Sequence, residues 1–366
     1  MSAAKILSAP VAPGGTIGIL GGGQLGRMLA LAAARLGLKT HIFSDAADAP
    51  AFQVSAARTH ARYDDAVALE EFAAACDSIT YEFENVPASA ADLLSRLKST
   101  NPNARALAVA QDRGDEKSFV RELRIATAPF VLVNDAEEAR KAFAGIGRRA
   151  VLKTRRLGYD GKGQRIVASA EEAARAFDSF HGVPTILEGF VDFDYEASVV
   201  AARGVDGAFA AYDPPKNDHE NHILRRSTVP APLPATLVEE AKALAKRMAD
   251  ALDYVGVLAV ELFVTKDGAL LVNEFAPRVH NSGHWTIEAC AVSQFEQHIR
   301  AVAGWPLGDP ARHSDAVMEN IIGEEAADWR GLAANGGALH LYGKSDIRTG
   351  RKMGHVTWLK PKTGAR

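Results

Sequence analysis

Residues 150–164 read Ala-Val-Leu-Lys-Thr-Arg-Arg-Leu-Gly-Tyr-Asp-Gly-Lys-Gly-Gln, an apolar run followed by a glycine-rich loop. The run 150–154 is typical of a β-strand. Three glycines within six residues let the loop turn tightly and bring amide N–H groups close to an anion, and Lys153 and Lys162 add positive charge. Because the P-loop pattern G-x-x-x-x-G-K-[ST] is missing from this sequence, we expect a polyphosphate site of another kind. The alternative is a solvated hairpin turn whose lysines bind nothing.

The overall composition is that of an ordinary globular protein. The chain has 366 residues, of which 47% are hydrophobic and 24% are charged, and its formal net charge is −3. This length predicts two or three domains. Because there is no global basic field, we expect no nucleic-acid partner. Because no apolar run is long enough to span a bilayer, we expect no membrane partner either, which leaves small molecules.

Cysteine usage and the first residues bear on the location of the protein. Cys76 and Cys290 lie far apart in apolar contexts, and two cysteines are too few for a disulfide framework. Reduced thiols predict a cytoplasmic protein. Residues 1–15 are rich in alanine and proline, and Pro10 and Pro13 interrupt what could have been the apolar region of a signal peptide. We therefore expect a short disordered tail over this segment.

Three regions follow one another along the chain. Strand and helix patterns alternate along residues 16–110, which predicts an α/β domain with a parallel sheet. Residues 111–304 predict an α+β domain, in which residues 129–190 form a small lid and later strands form a larger antiparallel sheet. A single helix is expected over residues 285–300. Residues 305–366 carry short strands and predict a small β-rich domain, so the fold class combines α/β and α+β.

A second glycine motif lies between the first strand and the first helix. Gly21, Gly23 and Gly26 fit G-x-G-x-x-G, and Asp45 follows about twenty residues later, which is the pattern of a dinucleotide-binding fold. An NAD-dependent oxidoreductase is therefore one hypothesis. Alternatively, the glycines only permit close packing of strand and helix. We favour a third interpretation, in which this loop forms one wall of a substrate pocket and offers its amides to an anion.

Two acidic residues interrupt strongly apolar runs. Glu261 and Glu274 lie on strands that the turn at residues 265–268 joins, so the strands are expected to be antiparallel neighbours. Facing carboxylates repel each other unless a cation lies between them, and Mg²⁺ binds carboxylates together with phosphate oxygens. Asn273 adds a neutral oxygen. The alternative is that both acids occupy polar positions on solvent-facing strands.

A basic cluster lies close to the end of the sequence. Lys344, Arg351 and Lys352 fall within nine residues of a glycine-punctuated β segment. In a slightly acidic protein, these cations, with Arg348 between them, predict a site for a phosphate monoester. The alternative is a solvated basic segment without a ligand.

Taken together, the motifs of this chain resemble those of the ATP-grasp enzymes, and among them the 5-(carboxyamino)imidazole ribonucleotide synthase family of purine biosynthesis. The resemblance extends from about residue 16 to about residue 359. It rests on Gly21-Gly-Gly-Gln-Leu-Gly-Arg27-Met, Thr80-Tyr-Glu-Phe-Glu-Asn85-Val, Lys153-Thr-Arg with Gly158-Tyr-Asp-Gly-Lys-Gly-Gln164, Asn273-Glu-Phe-Ala-Pro-Arg278-Val-His280-Asn-Ser-Gly-His284-Trp, and Tyr342-Gly-Lys344 with Arg351-Lys-Met-Gly-His355.

This resemblance implies an ATP-grasp fold with a Rossmann-like pre-ATP-grasp domain at residues 16–110, the ATP-grasp domain at 111–304 and a small C-terminal β domain at 305–366. It implies a ligase that forms a C–N bond between bicarbonate and 5-aminoimidazole ribonucleotide by way of carboxyphosphate, with release of ADP and phosphate. The implied cofactors are ATP and Mg²⁺, with Mn²⁺ as an alternative, and bicarbonate is the co-substrate. The family also suggests a homodimer.

Matching positions imply roles on the nucleotide side. Residues 188–191 would follow the adenine ring, Glu196 would take the ribose hydroxyls, and Glu261 and Glu274 would ligate the metal. The implied ATP-binding residues are Arg113, Lys153, Gly158, Tyr159, Asp160, Gly161, Lys162, Gly163, Gln164, Glu188, Gly189, Phe190, Val191, Glu196, His219, Asn273 and Glu274.

Matching positions also imply roles on the ribonucleotide side. The implied catalytic residues are Arg278, Lys162, Asp160 and His280. The basic cluster near the end of the chain would hold the 5′-phosphate. The implied substrate-binding residues are Gln24, Leu25, Glu82, Asn85, Tyr159, Arg278, His280, Asn281, Lys344, Arg351 and Lys352.

Other functions compete with this one. A different ATP-grasp ligase, such as a formate-using ribonucleotide transformylase or a biotin carboxylase-like subunit, shares the nucleotide motifs, but the run 278–284 and the C-terminal basic cluster favour the carboxylating ligase. An NAD-dependent oxidoreductase rests on the first glycine loop alone. A non-catalytic nucleotide-binding module is the remaining alternative, and turnover would exclude it.

Overall fold

The apolar run 16–20 forms the first strand of a parallel sheet, as its sequence predicts. The structure is a computed structural model that describes residues 6–147, 149–158, 161 and 163–363. The strands of this first region are β1 (Thr16–Leu20), β2 (Lys39–Ser44), β3 (Ala57–His60) and β4 (Ser78–Tyr81), and its helices are α1 (Gln24–Arg35), α2 (Ala66–Ala74) and α3 (Ala88–Leu97).

These four strands form an all-parallel sheet in the order β3-β2-β1-β4, which confirms the predicted α/β architecture. Helix α1 ends ahead of Gly37, whose φ of +74° suits glycine. Asp65 caps α2 by accepting a hydrogen bond from the amide of Ala68. Strand β3 has no predicted counterpart, because its short Ala-Arg-Thr-His sequence is mostly exposed and shows no apolar alternation.

Two capped helices lead into the second region. They are α4 (Ala104–Gln111) and α5 (Arg113–Glu122). The Asp112 carboxylate accepts hydrogen bonds from the amides of Gly114 and Asp115, which fixes the start of α5. Arg113 is therefore the first residue of a well-defined helix, and its side chain projects from that end toward the glycine-rich loop.

The predicted lid forms a separate small sheet. Its strands and helices are β5 (Phe130–Val133), α6 (Ala136–Ile146), β6 (Ala150–Thr154), β7 (Gln164–Val167), α7 (Ala170–Ser179) and β8 (Thr185–Gly189). The strand order is β5-β8-β6-β7, and every pair is antiparallel. Asp135 and Ser169 cap the two helices. A core of small and apolar side chains, including Leu152 and Phe177, holds both helices on the sheet.

A nine-stranded antiparallel sheet forms the centre of the described structure. Its order is β14-β13-β9-β11-β12-β15-β17-β16, with β10 added beside β9. The strands are β9 (Phe193–Arg203), β10 (Phe209–Ala211), β11 (Lys216–Glu220), β12 (Ile223–Val229), β13 (Gly256–Thr265), β14 (Leu270–Ala276), β15 (Asp315–Ile322), β16 (Ala338–Leu341) and β17 (Lys352–Lys360). The C-terminal strands thus extend the sheet of the ATP-grasp region.

Helices cover this sheet. They are α8 (Ala235–Ala251), α9 (Thr286–Ala289), α10 (Gln294–Val302) and α11 (Trp329–Ala334), with 3₁₀ turns at Pro50–Gln53, Asn281–Gly283 and Gly323–Asp328. The single helix predicted over residues 285–300 is wrong, because α9 and α10 are separate. The Thr286 hydroxyl accepts the amide of Gln294, and the Ser293 side chain caps α10 through the amide of Glu296, so the chain turns between them.

The first described residues differ from the predicted disordered tail over residues 1–15. Val11 is buried, its amide donates to Ala303, and its carbonyl oxygen accepts from the indole of Trp305. Val11 therefore belongs to the core that joins α1, α10 and the central sheet. None of the helices in the described part of the chain is long and apolar enough to span a bilayer.

Candidate active site

A cavity of about 1020 Å³ lies where the first region, the lid and the central sheet meet. It is lined by most of the predicted site residues that the structure describes. They are Gln24, Leu25, Glu82, Asn85, Arg113, Lys153, Gly158, Gly161, Gln164, Phe190, Val191, Glu196, His219, Glu261, Asn273, Glu274, Arg278, His280, Asn281 and Lys352.

The remaining predictions fall elsewhere. Tyr159, Asp160 and Lys162 lie outside the described residues, so their roles stay predictions. Lys344 and Arg351 line a neighbouring cavity. The predicted residues that line neither cavity are Gly163, Glu188 and Gly189.

The glycine-rich loop follows β6 and returns as β7. Gly161 and Gly163 have φ values of +76° and +71°, which strongly favour glycine. A Cβ on Gly163 would lie 2.5 Å from the hydroxyl oxygen of Thr154, and a Cβ on Gly161 would lie 2.6 Å from the His222 ring. These two glycines are therefore required both by the backbone conformation and by the close neighbours of the loop.

Glu261 and Glu274 lie directly opposite each other on β13 and β14, as the sequence predicts. Each carboxylate has a cationic or polar partner: Arg113 Nη1 lies 2.6 Å from Oε2 of Glu274, and His280 Nε2 lies 3.0 Å from Oε1 of Glu261. Burial alone would raise the pKa of Glu274, but Arg113 and Lys153 outweigh burial and hold that pKa well below its usual value. Glu274 is therefore ionised, and the two carboxyl groups lie together on one edge of the cavity.

Buried charges also surround Glu188. Its Oε2 lies 3.0 Å from Nζ of Lys153 and 3.8 Å from Nζ of the fully buried Lys117. Although burial opposes ionisation, the two ammonium groups lower the pKa of this carboxyl. The side chain of Glu188 thus lies beneath the cavity wall, where it positions Lys153. Two residues after Glu188, the backbone amide of Phe190 donates a hydrogen bond to the carbonyl oxygen of Arg149.

Glu196 and His219 form the next polar pair along the wall. His219 Nδ1 and Oε2 of Glu196 are 2.5 Å apart. Burial alone would lower the pKa of His219, but the hydrogen bond to the Glu196 carboxylate raises it above its usual value. Since both residues line the cavity, the predicted ribose-binding acid and the predicted nucleotide-site histidine lie in direct contact.

Arg278 is anchored by a residue that the sequence reasoning missed. Its guanidinium makes two hydrogen bonds to Glu84, with Nε 2.5 Å from Oε2 and Nη2 3.2 Å from Oε1. This pair links the first region to the strand end that carries Arg278. Glu84 lies within the Thr80–Asn85 motif. An acidic residue in that motif was the sequence signal that could have indicated a partner for an arginine.

Glu116 is a second acid that was missed. Its carboxyl is buried beside Glu274 and accepts the amide of Phe275 at 2.5 Å. Burial and the negative charge of Glu274 raise its pKa. Its position within a charged helix gave no sequence signal, because the helix face that turns inward becomes known only from the packing of α5.

The first glycine loop binds a carboxylate of this chain. Oε1 of Glu82 accepts the amide of Gly23 and Oε2 accepts the amide of Gly26, each at 2.5 Å. A Cβ on Gly21 would lie 2.0 Å from Cγ of Glu82. The interpretation that these amides are open to an external anion is therefore wrong for Gly23 and Gly26. The same contacts occupy the amides that a dinucleotide pyrophosphate would use, which removes the main argument for an oxidoreductase.

Two members of the C-terminal basic cluster face this loop. Lys344 and Arg351 line a cavity of about 220 Å³ together with Gly22, Gly23 and Glu82. Burial and the nearby Arg351 lower the pKa of Lys344 to about 8. Lys352 instead lines the large cavity, and its carbonyl oxygen accepts from Nζ of Lys344 at 2.6 Å. The predicted cluster is thus divided between two adjoining cavities.

Family models cover most of the chain. A ribonucleotide synthetase preATP-grasp domain matches residues 15–111, an ATP-grasp domain matches residues 118–295, and a phosphoribosylaminoimidazole carboxylase C-terminal domain matches residues 316–365. These three domains follow one another in the order expected from the sequence motifs.

Whole-chain relatives agree with these matches. The N5-carboxyaminoimidazole ribonucleotide synthase of Brucella melitensis is 56% identical over 96% of this chain and 98% of its own length, and the Pseudomonas aeruginosa enzyme of that name is 45% identical over 93% of each. A solved ADP complex of an N5-carboxyaminoimidazole ribonucleotide synthetase has a TM-score of 0.93 at 40% identity, covering 96% of this chain and 94% of its own. The Aspergillus clavatus enzyme, solved with ADP and 5-aminoimidazole ribonucleotide, has a TM-score of 0.88 at 29% identity, covering 95% and 94%. This chain therefore belongs to the N5-carboxyaminoimidazole ribonucleotide synthase family.

Proposed function

We propose that the protein joins bicarbonate to 5-aminoimidazole ribonucleotide in an ATP-dependent reaction of purine biosynthesis. A bicarbonate oxygen attacks the γ-phosphorus of ATP, so that ADP leaves and carboxyphosphate forms. The exocyclic amine of the ribonucleotide then attacks the carboxyl carbon, either in carboxyphosphate itself or in the carbon dioxide released from it. The C–O bond to phosphate breaks, phosphate leaves, and the amine gives up one proton. The observation that carries this proposal is the carboxyl pair Glu261 and Glu274, held opposite each other in a cavity that the glycine-rich loop also lines.

The donor set fits a hard divalent cation. Glu261 and Glu274 offer carboxylate oxygens, and Oδ1 of Asn273 is buried without a hydrogen-bond partner among the described residues. Oxygen ligands of this kind are those that Mg²⁺ prefers, and Mn²⁺ accepts them as well. When bound, the ion would neutralise phosphate charge and polarise the phosphoryl group. Arg113 and His280, which now contact the two carboxylates, would then share them with the cation.

The residues of the chain supply orientation and charge. Arg113 lies between Glu274 and the start of the glycine-rich loop, where it can reach phosphate oxygens. Lys153 provides a second cation at the same edge of the lid sheet. Arg278, fixed by Glu84, aims its positive charge at the cavity, where negative charge builds up on carboxyphosphate. Each of these groups is held by other side chains, so little reorganisation is needed when the substrates bind.

The ribonucleotide phosphate fits the smaller cavity. Lys344 and Arg351 line it together with Gly22, and guanidinium and ammonium groups both bind phosphate. Gln24, Leu25 and Asn85 line the adjoining part of the large cavity, which leaves room for the ribose and the imidazole. The amine would then extend toward Arg278 and His280. Lys352 would stay beside the ring rather than at the phosphate.

We also propose that the protein assembles as a homodimer and works in the cytoplasm. The two cysteines, Cys76 and Cys290, are free and buried, and burial raises the pKa of each thiol, which fits a protein that works in a reducing compartment. Sedimentation velocity of the full chain tests the assembly, and fractionation of the source cells tests the location.

The incorporation of labelled bicarbonate tests the reaction. Protein is mixed with ATP, Mg²⁺ and ¹³C-bicarbonate, with or without 5-aminoimidazole ribonucleotide, and the product is observed directly by ¹³C NMR. We expect a new carbamate carbon only when both ATP and the ribonucleotide are present. Phosphate and ADP formation without any carbamate signal would contradict the proposal, as would transfer of label in the absence of ATP.

A further inference from the structure

We propose that a buried chain of hydroxyl and amide groups fixes the His280 ring with Nδ1 as an acceptor and Nε2–H directed at Glu261. Ser282, Ser198 and Asn217 are then positioning residues for the active site. The catalytic consequence rests on the proposed function. The orientation of the ring does not, because it follows from contacts within the protein.

Ser282 places two hydrogen-bonding groups beside Nδ1 of His280. The backbone amide of Ser282 lies 3.3 Å from this nitrogen and the Ser282 hydroxyl lies 2.9 Å from it. A backbone N–H is always a donor, whichever way neighbouring hydroxyls and amides are assigned. Nδ1 must therefore accept, and the proton of the neutral ring must reside on Nε2.

On the opposite side of the ring, Nε2 of His280 faces Glu261. Nε2 of His280 lies 3.0 Å from Oε1 of Glu261. The proton that the neutral ring carries on Nε2 is therefore directed at this carboxylate oxygen, which can accept it. The two contacts together leave the imidazole a single orientation.

Ser282 is itself held by a series of hydrogen bonds among buried side chains. Its hydroxyl lies 2.7 Å from that of Ser198, which lies 2.9 Å from Nδ2 of Asn217, and Oδ1 of Asn217 accepts from Ser227 at 2.7 Å. Ser198, Ser227 and Ser282 are fully buried. With Ser227 donating to Asn217, every donor in the series points toward His280, so the hydroxyl of Ser282 is left to donate to Nδ1.

Gln294 fixes the backbone at the same place. Its Oε1 accepts the amide of His280 at 2.9 Å, and its Nε2 donates to the carbonyl oxygen of His280 at 2.7 Å. A Cβ on Gly283 would lie 2.7 Å from Oε1 of Gln294, so the turn is closely packed. The backbone and both ring nitrogens of His280 are thus held independently.

This arrangement assigns a role to the ring. With Nδ1 occupied and Nε2 protonated, His280 presents a hydrogen-bond donor to Glu261 and to whatever lies beside it in the cavity. It is a donor that orients a carboxylate and a substrate oxygen, and it has no free nitrogen with which to remove a proton. The buried serines act through His280 and never touch a substrate themselves.

The tautomer can be measured without turnover. The full protein is labelled with ¹⁵N-histidine, and long-range ¹H–¹⁵N spectra are recorded well above the ordinary pKa of histidine, with His280→Gln identifying the His280 signals. We expect a non-protonated Nδ1 and a protonated Nε2. The exposed His313, whose Nδ1 also lies 2.9 Å from a serine hydroxyl, is the internal control and should show averaged tautomers. Protonation at Nδ1 of His280, or averaging like that of His313, would overturn the proposal.

Two sets of variants test the positioning role. Ser198→Ala removes the middle of the chain, and we expect kcat to fall about tenfold while the KM for ATP changes by less than about twofold. Ser78→Ala is the matched control, because Ser78 is also fully buried and bonded, but to the carbonyl of Val302. Unchanged kcat in Ser198→Ala, with the His280 signals unmoved, would overturn the positioning role.

The second set separates the two nitrogens. The amide nitrogen of a glutamine reaches the position of Nε2, whereas that of an asparagine reaches the position of Nδ1. We therefore expect His280→Gln to retain roughly tenfold more turnover than His280→Asn. The reverse order would contradict a donor at Nε2. If the wild type lacks ribonucleotide-dependent turnover, the proposed function fails, while the spectra still decide the tautomer.

Discussion

Arg113 and Glu274 form an ion pair in which Nη1 lies 2.6 Å from Oε2. The same guanidinium donates through Nη2 to the carbonyl oxygen of Gly158 at 3.1 Å. One side chain at the start of α5 therefore connects a carboxylate of the central sheet with the first glycine of the loop in the lid. The geometry ties the predicted metal site to the predicted phosphate loop.

This connection makes Arg113→Lys informative. Lysine keeps the positive charge but has no planar fork with which to reach both partners. We expect kcat/KM for ATP to fall about ten- to a hundredfold, since one charge-assisted hydrogen bond contributes about 1.5–3 kcal/mol. Steady-state kinetics with varied ATP measures the effect. Arg140→Lys, at a half-exposed position on α6, is the control, and equal kinetics for the two variants would contradict the connection.

Glu274→Gln tests the proposed metal site. The change removes a carboxylate charge but keeps the size of the side chain, and we expect kcat to fall about a thousandfold because metal catalysis contributes several kcal/mol. The thermal unfolding midpoint, followed by circular dichroism, should show that the variant folds. Glu240→Gln on the exposed face of α8 provides the control. Turnover like that of the wild type in Glu274→Gln would remove Glu274 from the metal site.

Lys344→Ala and Arg351→Ala test the phosphate site. Both side chains line the smaller cavity, so we expect either change to raise the KM for the ribonucleotide about ten- to a hundredfold. The KM for ATP should stay within about twofold, because the proposed ATP site lies in the larger cavity. Lys360→Ala, on an exposed position of β17, is the control. Equal increases in both KM values would contradict the assignment of the ribonucleotide phosphate to Lys344 and Arg351.

The pKa of Lys344 gives the same site a pH dependence. Because burial and Arg351 lower that pKa to about 8, the ammonium is charged below this value and loses its proton as the pH rises through it. We expect the KM for the ribonucleotide to rise above about pH 8, while the KM for ATP stays flat. Measuring both constants across this range checks the sign. In Arg351→Ala the rise should move to higher pH, because a neighbouring positive charge has been removed.

Local patterns predicted a large part of this fold. Strand β6 begins and ends at Ala150 and Thr154 as expected, because an apolar run bounded by a glycine loop leaves few alternatives. The turn at residues 265–268 likewise predicted that Glu261 and Glu274 would face each other, since a tight turn fixes the register of its two strands.

Contacts between distant segments could not be predicted in this way. The Gly21–Gly26 motif fits a dinucleotide fold, yet Glu82 accepts the amides of Gly23 and Gly26, because the pairing of β1 with β4 brings the two segments together. The break between α9 and α10 depends on the Thr286 hydroxyl, which a helical pattern does not reveal. The series of hydrogen bonds that leads from Ser227 to His280 joins several segments that are distant in sequence, so no motif could have indicated it.

The release of ADP from ATP and Mg²⁺ tests whether the protein is a ribonucleotide-dependent ligase. The rate is measured with bicarbonate present, in the presence and absence of 5-aminoimidazole ribonucleotide. We predict that the ribonucleotide raises ADP formation well above the background and that Lys344→Ala requires more ribonucleotide to reach the same rate. ADP formation that ignores the ribonucleotide but responds to another small acid or amine would contradict the substrate, and the absence of ATP turnover under every condition would contradict the enzyme.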